Sequence, residues 1–173
     1  MNDSMRQDAI SRVGITIAID GPAGSGKSTV SKALAARLGI GYLDTGAMYR
    51  ALTWYCLDRG IDLADKAAVA AAANEMPLRL VSDPSDPHVW VGEREITEEI
   101  REPRIALEIK HVSTNLDVRA WMAAEQRRRM MEAREQGSGM IAEGRDITTV
   151  VCPDADVRIL LLADQEARLR RRT

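Results

Sequence analysis

The residues best suited to chemistry lie near the start of the chain, where Gly21–Ser28 match the pattern G-x-x-x-x-G-K-[ST]. Glycines in such a loop allow successive backbone N–H groups to turn towards a single anion. Its lysine, here Lys27, reaches the β- and γ-phosphates of a nucleotide, and the hydroxyl of Ser28 can coordinate Mg²⁺. The pattern therefore predicts a phosphate-binding loop. The residues expected to line it are Gly21, Pro22, Ala23, Gly24, Ser25, Gly26, Lys27, Ser28 and Thr29.

The segments on either side suit this loop. The β-branched run Ile15–Ile19 predicts a buried strand, and Val30, Leu34 and Leu38 recur at the spacing of one helix face. A helix that begins directly after the loop points the positive end of its dipole at a bound anion. A glycine-rich turn that matched the pattern by chance would not be expected to have both a buried strand before it and a helix directly after it. We therefore favour the phosphate-binding interpretation.

Two further polar clusters each follow a predicted strand directly. They are Asp44–Arg50 and Glu143–Asp146. The carboxyl ends of parallel strands meet at one edge of a sheet, so we expect both clusters to face the same crevice as the phosphate-binding loop. Each has a structural alternative as well. Thr45 could serve only as a helix cap, Arg50 only as a solvated helix residue, and Arg145 only as a partner in a surface ion pair.

Strands and helices alternate along most of the chain, which predicts an α/β fold with a parallel sheet flanked by helices. The alternation breaks at Pro77–Ile100, where short strands and dense turn signals predict a small antiparallel insertion. Further along, we expect Asp117 to cap a long helix, Val157–Leu162 to form a strand and Asp164 to begin a last helix.

Composition excludes several classes of protein. The net charge is −2 over 173 residues, which argues against nucleic acid or an anionic membrane as a partner. No apolar run approaches the ~18 residues of a membrane-spanning helix. Residues 1–14 lack the apolar segment of a secretory signal and are expected to be a disordered leader to a core of residues 15–173. Cys56 and Cys152 lack metal-ligand spacing. We therefore expect a cytoplasmic monomer.

Three motifs occur in a fixed order along the chain. Gly-Pro-Ala-Gly-Ser-Gly-Lys-Ser begins at Gly21, Leu-Asp-Thr-Gly-Ala-Met-Tyr-Arg at Leu43, and Glu-Gly-Arg-Asp-Ile-x-Thr-Val-Val-x-Pro-Asp-Ala at Glu143. The combination resembles the bacterial cytidylate kinases, which are P-loop nucleoside monophosphate kinases. The resemblance covers residues 15–172 and implies a P-loop kinase fold. It also implies that the β-containing insertion belongs to a monophosphate-binding subdomain at roughly 45–120.

The resemblance implies transfer of the γ-phosphoryl group of MgATP to CMP or dCMP, with ATP in the phosphate-binding loop. We expect catalytic roles for Lys27, which would hold the β- and γ-phosphates, and for Arg145, which would help to place the acceptor and offset the negative charge that develops. Ser28 would bind Mg²⁺, and Glu143 would hold a metal-bound water unless it forms a structural ion pair instead. The positions that match CMP-binding residues are Thr45, Tyr49, Arg50, Arg119, Arg145 and Asp146.

The chemistry of CMP agrees with these residue types. Cytosine presents an exocyclic amine that needs an acceptor, and O2 and N3 that need donors. Asp146 and Arg119 could supply both, while Arg50 and Arg145 suit the monophosphate because guanidinium groups bind phosphate oxygens in pairs.

The chain departs from the family pattern at three places. Lys110 stands where the family has a small hydroxyl residue that helps to read the base; lysine donates but cannot accept, and Ser113 is the nearest replacement. Thr148 replaces a glycine. The family continues with a lid after about Arg170, where this chain stops, so we expect nucleotide binding with weak or no turnover.

Two alternatives stay open at the level of the sequence. One is another small-acceptor kinase, acting on UMP, AMP or a metabolite. The other is a nucleotide-dependent switch or nucleotide-binding fragment without catalysis. A GTPase switch would normally carry an Asn-Lys-x-Asp motif, which this sequence lacks.

Overall fold

A computed structural model describes residues 4–5 and 14–163. The leader predicted for residues 1–14, apart from positions 4, 5 and 14, and the helix predicted from Asp164 lie outside the described residues. Among the described residues, no helix combines the length and the apolar character needed to cross a membrane.

Strands and helices alternate in the order that the sequence predicts. The strands are β1 Thr16–Asp20, β2 Gly41–Asp44, β3 Leu78–Val81, β4 His88–Val91, β5 Arg94–Glu95, β6 Met140–Gly144 and β7 Val157–Leu160. The α-helices are α1 Lys27–Leu38, α2 Thr45–Asp58, α3 Lys66–Glu75, α4 Pro103–Ser113 and α5 Leu116–Glu135. A 3-10 turn at Glu99–Arg101 and a π-helical turn at Ile147–Val151 complete the set.

The chain forms two compact units. The first unit comprises the described parts of Met1–Asp44, Ser82–Ser85 and Gln126–Thr173, and the second comprises Thr45–Val81 and Asp86–Glu125.

A four-stranded parallel sheet in the order β2-β6-β1-β7 forms the centre of the first unit, which confirms the predicted α/β fold. The two central strands pair in register from Thr16 with Met140 to Asp20 with Gly144. Both are buried along their whole length because their neighbours and helices cover them. The core packed on this sheet consists of Ile17, Ile19, Ala35, Ile40, Tyr42 and Ile141.

Helix α1 buries a different face from the predicted one. Ser31 and Ala35 are fully buried, whereas Val30 is 42% exposed. Small residues let the helix lie close to the sheet, and the partly buried Leu34 and Leu38 pack against the same core cluster. The phosphate-binding loop fixes where α1 starts and therefore which side faces the sheet, and this constraint overrides the strongest apolar stripe.

Strand β7 is shorter than predicted, ending at Leu160 instead of Leu162. It is an edge strand of the described sheet, so Leu160 is 65% exposed. Asp156 fixes the start of the strand, because its Oδ2 accepts hydrogen bonds of 2.9 Å each from the N–H and hydroxyl of Thr16 and from Nη1 of Arg134.

The second unit contains the predicted antiparallel insertion as a sheet in the order β3-β4-β5. Asp65 caps α3 by accepting a hydrogen bond from the N–H of Ala68, and Pro103 occupies the first turn of α4. Cys56 is fully buried in α2, and burial raises the pKa of its thiol to about 11.

The cap of α5 corrects the sequence analysis. Asn115, and not Asp117, accepts hydrogen bonds at Oδ1 from the N–H groups of Asp117 (3.2 Å) and Val118 (3.4 Å). Its amide group also donates to the carbonyl of Lys66 at 2.9 Å. Asparagine suits this buried position because it accepts and donates at once, which a carboxylate cannot do.

Replacing Asn115 by alanine is expected to lower the free energy of unfolding by about 2 kcal/mol, since it removes a helix cap and the side-chain hydrogen bond to the carbonyl of Lys66. Denaturant unfolding measures this loss. Leu116→Ala is the control, because Leu116 is 78% exposed. Equal losses in the two variants would contradict the assigned cap.

His88 lies between two carboxylates on the antiparallel sheet. Its Nε2 lies 2.9 Å from Asp86, and its Nδ1 contacts Glu95, which also accepts a hydrogen bond from Thr97. The hydrogen bonds to Asp86 and Glu95 raise the pKa of His88, and the bond to Asp86 contributes most. The bond to His88 in turn lowers the pKa of Glu95.

The His88 cluster should stabilise the protein most between the ordinary pKa values of 4.5 for Glu95 and 6.5 for His88. A raised histidine pKa gives stability that is lost as the pH rises through it, and a lowered glutamate pKa gives stability that is lost on acidification. Thermal unfolding of His88→Gln against the parent protein should therefore differ most near about pH 5.5 and converge by about pH 9. A difference that is constant with pH would refute this assignment.

Candidate functional site

The phosphate-binding loop has the backbone that the sequence predicts for it. Gly24 and Gly26 take φ values of 78° and 86°, in the left-handed region that favours glycine. At Gly21 a Cβ atom would lie 2.7 Å from both the carbonyl of Leu161 and the hydroxyl of Ser25, so only glycine fits there. The loop ends where α1 begins, with Lys27 and Ser28 in the first turn.

Ser28 and Glu143 are in direct contact. The hydroxyl of Ser28 donates to Oε1 of Glu143 at 2.7 Å, and the hydroxyl of Tyr42 donates to the same oxygen at 2.9 Å. Glu143 is only 2% exposed. Burial is the main cause that raises the pKa of Glu143, and the negative charge of Asp44 raises it further. Hydrogen bonds from Ser28 and Tyr42 and the positive charge of Lys27 lower it in part.

The oxygen atoms of Ser28 and Glu143 are of the kind that could hold Mg²⁺. Mg²⁺ is usually held by one or two carboxylates together with phosphate oxygens and waters. Ser28 and Glu143 offer such oxygens beside the phosphate-binding loop, with Asp44 close enough to Glu143 to affect its pKa. The described residues contain no cluster of three or more His, Cys, Asp or Glu that could bind a metal without such help.

Sequence analysis missed Tyr42. Burial and the charges of Asp44 and Glu143 raise the pKa of its hydroxyl, so the hydroxyl stays protonated and donates to Glu143. The only available signal was a tyrosine two residues before a strand-end aspartate. The order β2-β6, which places Asp44 beside Glu143, is not readable from the sequence.

The turn that carries Arg145 and Asp146 is anchored to the strand that leads into the phosphate-binding loop. Asp20, the last residue of β1, is 3% exposed and accepts hydrogen bonds from the N–H groups of Ile147 (2.9 Å) and Thr148 (2.8 Å) and from the hydroxyl of Thr148 (2.6 Å). Arg145 itself is exposed, and Asp146 is half-buried at the start of the π-helical turn.

The remaining predicted residues belong to the second unit. Thr45 is the buried first residue of α2, and Tyr49 and Arg50 follow one turn later, half-buried. Arg119 is an exposed residue of α5 whose Nη1 lies 3.4 Å from the carbonyl of Ser113. Thr45, Tyr49 and Arg50 thus share two turns of one helix, whereas Arg119 lies on another.

Comparison with known proteins identifies the family. A family model described as cytidylate kinase matches residues 17–173. The chain belongs to the cytidylate kinase family. Its members are nucleoside monophosphate kinases, a class of phosphotransferase, so the family resemblance inferred from the three sequence motifs is confirmed.

Curated relatives agree with the family model. A cytidylate kinase from Streptomyces avermitilis is 43% identical over 92% of this chain and 68% of the relative, and one from Rhodococcus opacus is 46% identical over 91% and 67%. A bifunctional pantoate ligase/cytidylate kinase from a Synechococcus species is 45% identical over 90% of this chain and 31% of the relative. This chain therefore spans about two thirds of the length of the first two cytidylate kinases.

A solved structure from Thermus thermophilus, TT1252, matches 91% of this chain and 70% of that chain at 22% identity, with a TM-score of 0.43. The match is too distant to inform function.

Removing the Tyr42 hydroxyl should destabilise the protein by about 1–2 kcal/mol near about pH 7, because the buried Glu143 carboxylate loses one of its two hydroxyl donors. The raised pKa of Glu143 means that acidification neutralises it early, so the loss in Tyr42→Phe should shrink as the pH falls. Urea unfolding at several pH values measures both effects.

Tyr55→Phe is the matched control for Tyr42→Phe. Tyr55 is also buried, at 5% exposure, but its ring stacks against the guanidinium of Arg59 at 4.4 Å instead of contacting a carboxylate. Its effect should not change with pH. The same pH dependence in both variants would rule out Glu143 as the group that titrates.

Proposed function

We propose that this chain transfers the γ-phosphoryl group of MgATP to CMP or dCMP, giving ADP and CDP or dCDP. Membership of the cytidylate kinase family supports the reaction class. The observation that carries the proposal is the Ser28–Glu143 hydrogen bond, because it joins the end of the phosphate-binding loop to a buried carboxylate suited to a magnesium site.

On the donor side, Gly21–Thr29 would hold the phosphates of ATP through backbone N–H groups, and Lys27 would contact the β- and γ-phosphates. Ser28 would bind Mg²⁺ directly, and Glu143 would hold it through a water. When bound, the metal offsets negative charge on the β- and γ-phosphates. The buried Ser28–Glu143 pair and the glycine backbone support these roles.

On the acceptor side, the guanidinium groups of Arg50 and Arg145 would bind the monophosphate in bidentate fashion, with Thr45 and Tyr49 as hydroxyl partners. Arg119 and Asp146 would read the cytosine edge. The half-buried setting of residues 49 and 50 on one helix supports a shared ligand for them. These assignments extend the family resemblance to the individual residues of this chain.

The reaction requires little covalent participation by the protein. An oxygen of the acceptor phosphate bonds to the γ-phosphorus as the bond between that phosphorus and the bridging oxygen of ADP breaks, in line with the attack. Two anionic phosphates must approach each other, so cationic side chains are a requirement of the chemistry. Lys27 on the donor and Arg145 on the acceptor would offset the charge that develops in the transition state.

A second candidate is a kinase with a broader acceptor range. Lys110, which replaces the small hydroxyl residue of the family, is exposed on α4, and its carbonyl accepts a hydrogen bond from Thr114. The hydroxyl of Ser113 lies 3.5 Å from the same carbonyl. The base-reading group of the family thus has no direct equivalent at position 110, and UMP or AMP become acceptors worth testing.

Incubation with MgATP and CMP, dCMP, UMP or AMP should give diphosphate product from the two cytidine nucleotides at a rate at least about tenfold above the others, about 1.4 kcal/mol of discrimination. Chromatography of the nucleotide products measures these rates, and a separate binding measurement is made with each nucleotide. Equal use of AMP and CMP would remove the cytosine assignment and favour the broader kinase. Binding of CMP without product would favour a nucleotide-binding role.

Lys27→Ala should reduce any transfer by about a hundredfold or more, because it removes a cation from the reacting phosphates. Lys66→Ala is the control, since Lys66 is an exposed lysine at the start of α3. Transfer that survives in Lys27→Ala would exclude the phosphate-binding loop from the mechanism.

A further inference from the structure

The Asp20 carboxylate connects the two loops of the first unit that the proposed function uses. Asp20 immediately precedes the phosphate-binding loop, and its oxygens bind the turn that follows Arg145 and Asp146. The N–H of Gly21 also donates to the carbonyl of Gly144 at 3.2 Å. Asp20 and Gly21, at the entry to the donor loop, are therefore joined by four hydrogen bonds to the segment from Gly144 to Thr148.

Thr148 supplies two of these four bonds. Its N–H and its hydroxyl both donate to Oδ2 of Asp20, the hydroxyl at 2.6 Å. Bonds to an ionised oxygen at this distance are among the stronger hydrogen bonds in proteins. No described residue other than glycine takes a positive φ, so the threonine fits this backbone without strain.

The burial of Asp20 makes the hydroxyl of Thr148 consequential. Asp20 is 3% exposed, so water cannot freely replace a donor that is lost. A carboxylate in such a setting needs its donors, and removal of one destabilises the arrangement that presents them. That arrangement is the turn from Gly144 to Val151, which carries Arg145 and Asp146.

We infer that Thr148 is a positioning residue, which holds Arg145 and Asp146 at a fixed place relative to the phosphate-binding loop by binding Asp20. The inference rests on the proposed function, in which Arg145 binds the acceptor phosphate. A glycine at this position would keep the backbone N–H bond to Asp20 and would lose the hydroxyl bond, so the hydroxyl bond depends on the threonine side chain of this sequence. In this role Thr148 would act through the placement of Arg145 and Asp146 and not by binding the substrate itself.

The test compares Thr148→Val, which removes the hydroxyl at nearly constant shape, with Thr148→Ser, which keeps it. Thr149→Val is the matched control, because the neighbouring Thr149 is exposed and its hydroxyl makes only a 3.4 Å contact with the carbonyl of Asp146. Two measurements are made on each full-length variant. They are amide hydrogen exchange across residues 144–151, and steady-state kinetics with CMP and ATP varied separately.

Thr148→Val should speed exchange at residues 147 and 148 roughly tenfold, the effect of losing one charge-assisted hydrogen bond. It should lower kcat/KM for CMP by roughly the same factor while the KM for ATP stays unchanged, since the donor loop keeps its own contacts. Thr148→Ser should restore both values, and Thr149→Val should change neither.

Each other outcome contradicts a defined part of the inference. Unchanged exchange in Thr148→Val would show that the hydroxyl does not hold the turn. Faster exchange with unchanged CMP kinetics would show that the hydroxyl of Thr148 stabilises the turn without positioning Arg145 and Asp146 for the reaction. If the parent protein does not phosphorylate CMP at all, the proposed function fails, and the positioning role fails with it, while the exchange data still decide whether the hydroxyl stabilises the turn.

Discussion

The burial of two carboxylates at the carboxyl ends of the central strands is the constraint on which the first unit depends. Asp20 ends β1, Glu143 lies near the end of β6, and both are nearly inaccessible to solvent. A buried charge must be hydrogen-bonded or its cost is prohibitive. The chain meets this requirement by folding its loops over the two acids, so the positions of these loops follow from the need to supply donors.

The two carboxylates receive donors of different kinds, and this difference gives them different capacities. Asp20 is bound by two backbone N–H groups and one hydroxyl from a single turn, an arrangement suited to fixing that turn. Glu143 is bound by the hydroxyls of Ser28 and Tyr42, and its pKa is raised by burial and by Asp44. Hydroxyl oxygens retain lone pairs for a cation, and a cation would relieve the repulsion between Glu143 and Asp44. One acid therefore suits structure, and the other suits metal binding.

Sequence reasoning succeeded where the physics is local. The phosphate-binding loop and the start of α1 depend on residues within a few positions of each other. It failed where the partner is distant in sequence. Asp20 binds Thr148, which is 128 positions away in the sequence, and no hydrophobic periodicity predicts such a pair. Asparagine and aspartate are equally good helix caps, so propensity does not choose between Asn115 and Asp117. The contact that favours Asn115 is its hydrogen bond to the carbonyl of Lys66, which is 49 positions away in the sequence.

The departures from the family pattern at positions 110 and 148 can be interpreted only from the contacts that each residue makes in the structure. A threonine in place of glycine suggests a backbone forced to change, yet Thr148 takes an ordinary conformation and adds a donor to a buried acid. A lysine in place of a small hydroxyl keeps a donor but loses an acceptor, and Lys110 is exposed on α4. The first substitution strengthens a contact that the fold already needs. The second leaves position 110 without a hydrogen-bond acceptor in its side chain, while the hydroxyls of Ser113 and Thr114 lie one turn further along the same segment.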